Sequence, residues 1–294
     1  MTTAGKEGPR SLLDYLQLTT TFLAGRGIDS ARIDAELMLA HVLAMTRTQL
    51  YVNFEQPLGA AEVARFRELV RRRSAREPVA YILGMREFWS MDFAVDRRVL
   101  VPRPETELVV EIAVDALKAR QNGAGLRAAD VGTGSGAIAV AIARELTEAR
   151  VLATDRSEAA LELAPSNAER NGVEARVEFC AGDGCAPLVG RGPFDVIASN
   201  PPYIRSSEMA SLPPEVREWE PRWALESGAE GMDVTAPLVR DAFDLLAPGG
   251  TLVVEVGTQA SLVRDAFVAR GFEAVSVRRD LAGLDRVVTG RRPT

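Results

Sequence analysis

From Pro104 onward the chain alternates short β-branched runs with amphipathic ones, and no other feature narrows its possible folds so far. ETELVVEIAVDALKAR reads as a helix, LRAADVG as a strand, SGAIAVAIARELT as a helix and ARVLATD as a strand. A helix from about Ser157 follows, then the strands RVEFCAGD and FDVIASN, a helix around TAPLVRDAFDLLA, and the strand TLVVEVG. Such alternation predicts a parallel sheet with helices on both faces, a Rossmann-like α/β architecture. After the helix SLVRDAFVARG, the strands EAVSVRR and DRVVTGR follow each other directly around Gly283. They predict an antiparallel hairpin closing one edge of a seven-stranded sheet. Pro165 inside ALELAPSNAER should kink or restart its helix, since an interior proline costs ~3 kcal/mol.

The first 78 residues have a different texture. SLLDYLQLTTTFLAGRG, SARIDAELMLAHVLAM with a Ser30 cap, and GAAEVARFRELVRRRSAR carry apolar residues at helical spacing. These short amphipathic helices must bury their stripes on one another, which predicts a small bundle over 1–78. His41 falls on the apolar pattern and is expected to be packed. The run Arg71–Arg76 is expected to be a solvated helix end complementing the helix dipole. From Tyr81 to Val101 aromatic and alternating residues predict a β-hairpin, assigned as a linker over 79–101, with the third domain occupying 102–294.

Composition excludes several classes. Two cysteines, Cys180 and Cys185, and the single His41 give neither a disulfide framework nor a metal-ligand cluster. The apolar runs are broken well before the ~20 residues of a membrane span, and no secretory leader pattern is evident, so a soluble cytoplasmic protein is expected. The net charge of −6 argues against general attraction to nucleic-acid phosphates. Up to Pro78, 11 Lys or Arg face 9 Asp or Glu, a balance of +2 that leaves −8 for the remainder.

Chemistry enters with DVGTGSG, Asp130 to Gly136, at the first strand–helix junction of the alternating region. Its glycines Gly132, Gly134 and Gly136, with Thr133 and Ser135 between them, permit a tight turn and close approach of a ligand to the amides of a helix N-terminus. Asp155 ends the next strand, where a carboxylate can accept from ribose hydroxyls; Asp183 ends the third, within reach of an adenine amine, with Gly184 leaving room beside the base. Either acid alone could be a solvated strand end. Together with the loop they outline a nucleoside across the carboxyl edge of the sheet.

FDVIASNPPYI then stops a buried strand against two prolines. An amide or exocyclic amine nitrogen is a poor nucleophile because its lone pair is delocalised. The side-chain oxygen of Asn200 and the carbonyl of Pro201 can accept its two N–H bonds and aim the lone pair at an electrophile. Pro201 and Pro202 stiffen that cradle, and Tyr203 can cover the planar group and exclude water.

At these residues the chain resembles class I S-adenosyl-L-methionine-dependent methyltransferases acting on planar nitrogen. EPVAYILGMREFWS, VLVPRPETE and DLAGLDRVV extend the likeness to the PrmC/HemK family, the release factor glutamine methyltransferases. The resemblance implies a seven-stranded methyltransferase domain behind a helical substrate-recognition domain. It also implies methylation of the glutamine side-chain nitrogen in the Gly-Gly-Gln motif of class I release factors by in-line displacement. Gly132 to Gly136, Asp155, Asp183, Gly184 and Asn200 would hold the cofactor, and Asn200, Pro201, Pro202 and Tyr203 the substrate amide. NPPY is shared with enzymes that methylate base amines, so a nucleic-acid amine methyltransferase is the alternative, disfavoured by the acidic second half. A non-catalytic binding module would have no need of both motifs. A monomer is expected, with the residues up to Pro78 docking the release factor and no stable hold on nucleic acid.

Overall fold

The computed structural model describes residues 10–120 and 125–294, which form two compact units divided after Gly84. The first unit holds five helices: α1 (Leu12–Ala24), α2 (Ala31–Leu43), α3 (Arg47–Val52), α4 (Ala60–Ser74) and α5 (Val79–Leu83). Ser11 and Asp14 form a reciprocal capping box that starts α1. Leu12, Leu16 and Leu23 then fall at helical spacing on one face and are buried with Met38, Leu39, Leu50 and Phe66.

Three expectations for this region are corrected. His41 is exposed in the last turn of α2, because the buried stripe passes through Met38, Leu39 and Val42 and leaves it to solvent. The Ser30 hydroxyl donates to Asp34 rather than capping a backbone amide, since Asp34 is itself buried against Arg73. The arginine run is not simply solvated: Arg73 is 3% exposed and bonded to Asp34, Arg72 pairs with Glu77, and Arg76 donates to the carbonyls of Arg26 and Gly27. The boundaries differ as well. Residues Val79–Leu83 are helical and end the first unit, and the hairpin belongs to the second.

That hairpin pairs β1 (Met85–Phe88) with β2 (Met91–Ala94). Trp89 and Ser90 occupy its two-residue turn at φ 53° and 55°, the left-handed geometry that suits the strand twist. Asn167 fixes its end: the side chain donates to the carbonyls of Ala94 and Ser135 and accepts from the Ala94 amide.

The rest of the second unit follows the predicted alternation: α6 (Glu107–Lys118), β3 (Arg127–Val131), α7 (Ala137–Glu145), β4 (Arg150–Asp155), α8 (Glu158–Arg170), β5 (Val177–Ala181) and β6 (Phe194–Ser199). The short α9 (Pro214–Arg217), α10 (Thr235–Leu245), β7 (Leu246–Glu255), α11 (Ala260–Arg270), β8 (Glu273–Arg279) and β9 (Asp285–Arg291) complete it. The sheet order is β5-β4-β3-β6-β7-β9-β8, with β9 antiparallel to both neighbours and the other pairings parallel, so the closing hairpin is as expected. This is the class I methyltransferase fold. Helix α8 runs through Pro165 without ending there; the ring faces solvent, where the carbonyl it deprives of a partner can bond water.

Candidate active site

The parallel strands end level with one another, which is what gathers the site. Val131 of β3 pairs with Thr154 of β4, and Asp155 pairs with Ala181 of β5. On the other side Asp130 pairs with Ala198, and Ser199 of β6 with Val254 of β7. Gly132, Asp155, Asp183 and Asn200 therefore emerge at one edge, and all four line a single cleft open to solvent.

The glycine loop is built to leave space. Gly132 and Gly134 stand at φ 77° and 55°, and a Cβ on either would meet no atom within 4 Å, so their backbone is bared toward the cleft. The Gly132 and Thr133 amides donate to the Thr154 carbonyl, tying the turn to β4. Beneath it Asp130, fully buried, accepts from the Thr133 hydroxyl at 2.6 Å and from the Ala139 amide at 3.1 Å. Burial pushes its carboxyl up to about 7, against the pull of those two donors. Asp130 thus braces the loop from behind, a role that the sequence pattern did not assign.

Asp155 is also part of the loop's framework. One carboxylate oxygen accepts from the Gly134 amide and the other from the Ser157 amide, both at 2.8 Å. Burial raises its carboxyl while these two donors oppose the rise. Each oxygen keeps a further lone pair, so the group can still accept from a ribose diol while holding the turn. Asp183 is exposed at the rim, and Gly184 beside it has open space where a side chain would stand.

At the other end of the cleft Asn200, Pro201 and Pro202 form the lining. Asn200 Nδ2 donates to Thr106 Oγ1 at 3.1 Å, and Thr106 is buried. Tyr203 differs from expectation: it is absent from the cleft wall. Its ring lies on Gly257 so closely that a Cβ there would stand 2.9 Å from it. Burial first, and then the Glu255 charge, push its phenol up to about 12. Beyond Tyr203 the chain is held by an exchange of bonds with the segment that follows: the Ile204 amide donates to the Leu225 carbonyl, and the Ser227 amide to the Ile204 carbonyl, each at 2.8 Å.

Two further carboxylates are buried at this end. Glu220 receives Arg103 Nη2 at 2.5 Å and the Val101 amide, which fastens PRPETE to the segment after NPPY. Glu255, the last residue of β7 and 1% exposed, stands level with Asn200, one residue past the Ser199–Val254 pair. Burial pushes it up to about 7, with the Thr106 hydroxyl the foremost group drawing it back. Neither Thr106 nor Glu255 was singled out from the sequence. A glutamate closing the apolar run TLVVEV was the available signal, because an unexplained charge at a strand's carboxyl end points into the ligand edge.

Comparison with known proteins agrees in both units. Residues 14–84 match the family model described as the PrmC N-terminal domain, and residues 109–212 the methyltransferase small domain. The release factor glutamine methyltransferase of Geobacter sulfurreducens is 44% identical over 96% of both chains. That of Rhodopirellula baltica is 40% identical over 98% of this chain and 99% of its own. A crystal structure of a methyltransferase from Pyrococcus furiosus, 21% identical, matches with a TM-score of 0.52 over 76% of this chain and 99% of its own, a likeness of fold.

Proposed function

The chain belongs to the release factor glutamine methyltransferase family, and we propose from that premise how its own residues divide the work. It is an S-adenosyl-L-methionine-dependent protein-glutamine N-methyltransferase, and its substrate is a peptide chain release factor. The target we infer is the glutamine of the Gly-Gly-Gln motif of class I factors. The observation that carries the assignment is the cleft itself, where bared glycine-loop backbone and the Asn200-Pro201-Pro202 cradle share one wall system.

We assign Gly132 to Gly136, Asp155, Asp183 and Gly184 to holding the cofactor. Backbone bared at the loop and a carboxylate beside it fit a nucleoside, and the space left at Gly132, Gly134 and Gly184 fits its close approach. Bound there, S-adenosyl-L-methionine supplies an electrophilic methyl group. Asn200 Oδ1 and the Pro201 carbonyl accept the two N–H bonds of the glutamine amide and orient its nitrogen. The two prolines keep those acceptors fixed, so little reorganisation is left for the reacting complex. Tyr203 backs this cradle from its seat on Gly257. The amide needs no strong base, because its nitrogen becomes acidic once methylated.

The first unit, taken to Gly84 rather than Pro78, is our candidate for docking the release factor. We read the protein as a cytoplasmic monomer. No helix among the described residues is long and apolar enough to cross a membrane. Stable nucleic-acid binding is not expected: Arg71, Arg72, Arg73 and Arg76 are engaged by Glu68, Glu77, Asp34 and backbone carbonyls.

Incubation with methyl-labelled cofactor, a release factor, the same factor with its glutamine replaced by alanine, and total RNA tests the reading. Label is expected on the intact factor alone; label on RNA, or on both factors equally, would contradict it. Asn200→Ala should lower kcat on the order of 100-fold or more while leaving cofactor affinity within about 3-fold.

A further inference from the structure

Asn200 can serve as an acceptor only if its amide faces the right way. The side chain has an oxygen and an NH2 of similar size, and only its surroundings decide which one looks into the cleft. In this structure Nδ2 lies 3.1 Å from Thr106 Oγ1, so the oxygen is left for the cleft. Thr106 is 4% exposed and Glu255 1% exposed, so water has little access to settle the matter.

The direction of the chain of bonds follows from what each group can do. In its charged form Glu255 only accepts, so in that form it draws the single hydroxyl hydrogen of Thr106, the foremost group favouring that form. Thr106 Oγ1 is then left with lone pairs alone and takes a hydrogen from Asn200. A flipped Asn200 would set its oxygen against those lone pairs and turn its NH2 toward the substrate NH2, donor against donor. One carboxylate oxygen, Glu255 Oε2, has no partner, which leaves no competing donor there to draw the carboxylate away from Thr106. The charged groups facing Glu255 are Arg286, Glu105 and Arg103, and Tyr203 also lies beside it. Arg286 is already bonded to Asp280 at 2.9 Å.

We propose that Thr106 is a positioning residue, anchored by Glu255, whose hydroxyl holds Asn200 Nδ2 and so presents Asn200 Oδ1 to the substrate amide. The inference gives PRPETE a part in the reaction beyond its packing, and it rests on the assignment of Asn200 as the amide acceptor.

The test is a double-mutant cycle read in kcat, with cofactor Kd measured by calorimetry on each variant. Thr106→Val, which keeps the shape and removes the hydroxyl, should lower kcat about 10-fold with Kd changed by less than about 2-fold. Thr106→Ser should restore kcat to within about 3-fold of the starting protein. In an Asn200→Ala background Thr106→Val should cost less than about 2-fold more, because the group it positions is gone. An equal loss in both backgrounds, an unchanged kcat, or a Thr106→Ser as poor as Thr106→Val would overturn the proposal. Should Thr106→Val not fold, Glu255→Gln replaces it. Its amide can donate to Thr106 and releases the hydroxyl from its fixed direction, so it should cost about 3- to 10-fold in kcat, and nothing further in Asn200→Ala. Equal losses in the two backgrounds would again overturn it. A normal kcat for Asn200→Ala alone would instead overturn the reading of the site.

Discussion

In the N-terminal unit the buried carboxylates Asp34, Glu36 and Glu77 each meet a guanidinium: Arg73 at 2.7 Å, Arg47 at 2.6 Å and Arg72 at 2.5 Å. Along the carboxyl edge of the sheet, Asp130, Asp155 and Glu255 take hydrogen bonds from hydroxyls and backbone amides instead. The consequences are opposite. Burial works to raise Glu36, yet bonds from Tyr51, Arg47 and Arg32 together hold it below the usual carboxylate range. Burial carries Asp130 and Glu255 up to about 7 because neutral donors repay less of the desolvation. The helical unit neutralises its buried acids with arginines. At the sheet edge Arg103 pairs with Glu220, while Asp130 and Glu255 are met by hydroxyls and a backbone amide and hold their protons more tightly.

The largest effect that would sharpen this contrast is Arg73→Met. It strands Asp34 in the core of the helical unit and should cost about 3–5 kcal/mol in denaturant unfolding, with that unit melting first. A cost below about 1 kcal/mol would mean the pair contributes little.

Next is the dependence of stability on pH. Asp130 moves from an ordinary value near 3.8 to about 7 on folding, so the folded protein holds the proton more tightly. Its contribution is complete below the unfolded value and is lost as pH rises through about 7; Glu255 acts in the same direction. Glu36 has the opposite sign: its contribution is present above its ordinary value near 4.5 and is lost as pH falls below it. Stability of the second unit should therefore decline between about pH 4 and 7, and Asp130→Asn should remove roughly 2–4 kcal/mol of that decline. An unchanged slope in the variant would break the comparison.

A smaller effect is expected where the edge is shaped by close approach. Gly257→Ala places a methyl 2.9 Å from the Tyr203 ring and 3.2 Å from Gln259 Oε1, with no backbone strain at that position. The ring must shift, at about 1–3 kcal/mol, and kcat should fall more than cofactor affinity. Equal effects on both would place Tyr203 nearer the cofactor than its packing indicates. Smallest of all, Glu68→Gln breaks an exposed pair with Arg71 and should leave thermal unfolding unchanged. A measurable shift would show that surface pairing also matters in the helical unit.

Much of this was legible in the chain. The alternation after Pro104 yields the sheet, and Gly132, Gly134 and Asn200 sit where strand-end reasoning puts them, because each marks a place where regular structure has to stop. Helix α3 was legible in principle, since Thr46 and Gln49 form a capping box, yet six residues carry little periodicity. His41 misled because a helical stripe is wider in sequence than in space, and one residue in it can face outward. The anchoring of Asn200 was hidden for another reason. Thr106 and Glu255 lie 94 residues before and 55 residues after it; the register of β6 on β7 sets Glu255 level with Asn200, and the turn before α6 brings Thr106 to its side chain. Asp155 was read as a ligand to ribose and proves also to be a strut of the glycine loop, a bond between backbone and side chain that no residue pattern announces.

The central claim is geometric, and a crystal structure of the protein with S-adenosylhomocysteine tests it most directly. The adenosine should lie along Gly132 to Gly136 with its ribose on Asp155 and its base toward Asp183 and Gly184, and the sulfur should face Asn200 with the Asn200 Nδ2–Thr106 contact intact. A ligand lodged away from the glycine loop, or a sulfur turned from Asn200, would contradict the account.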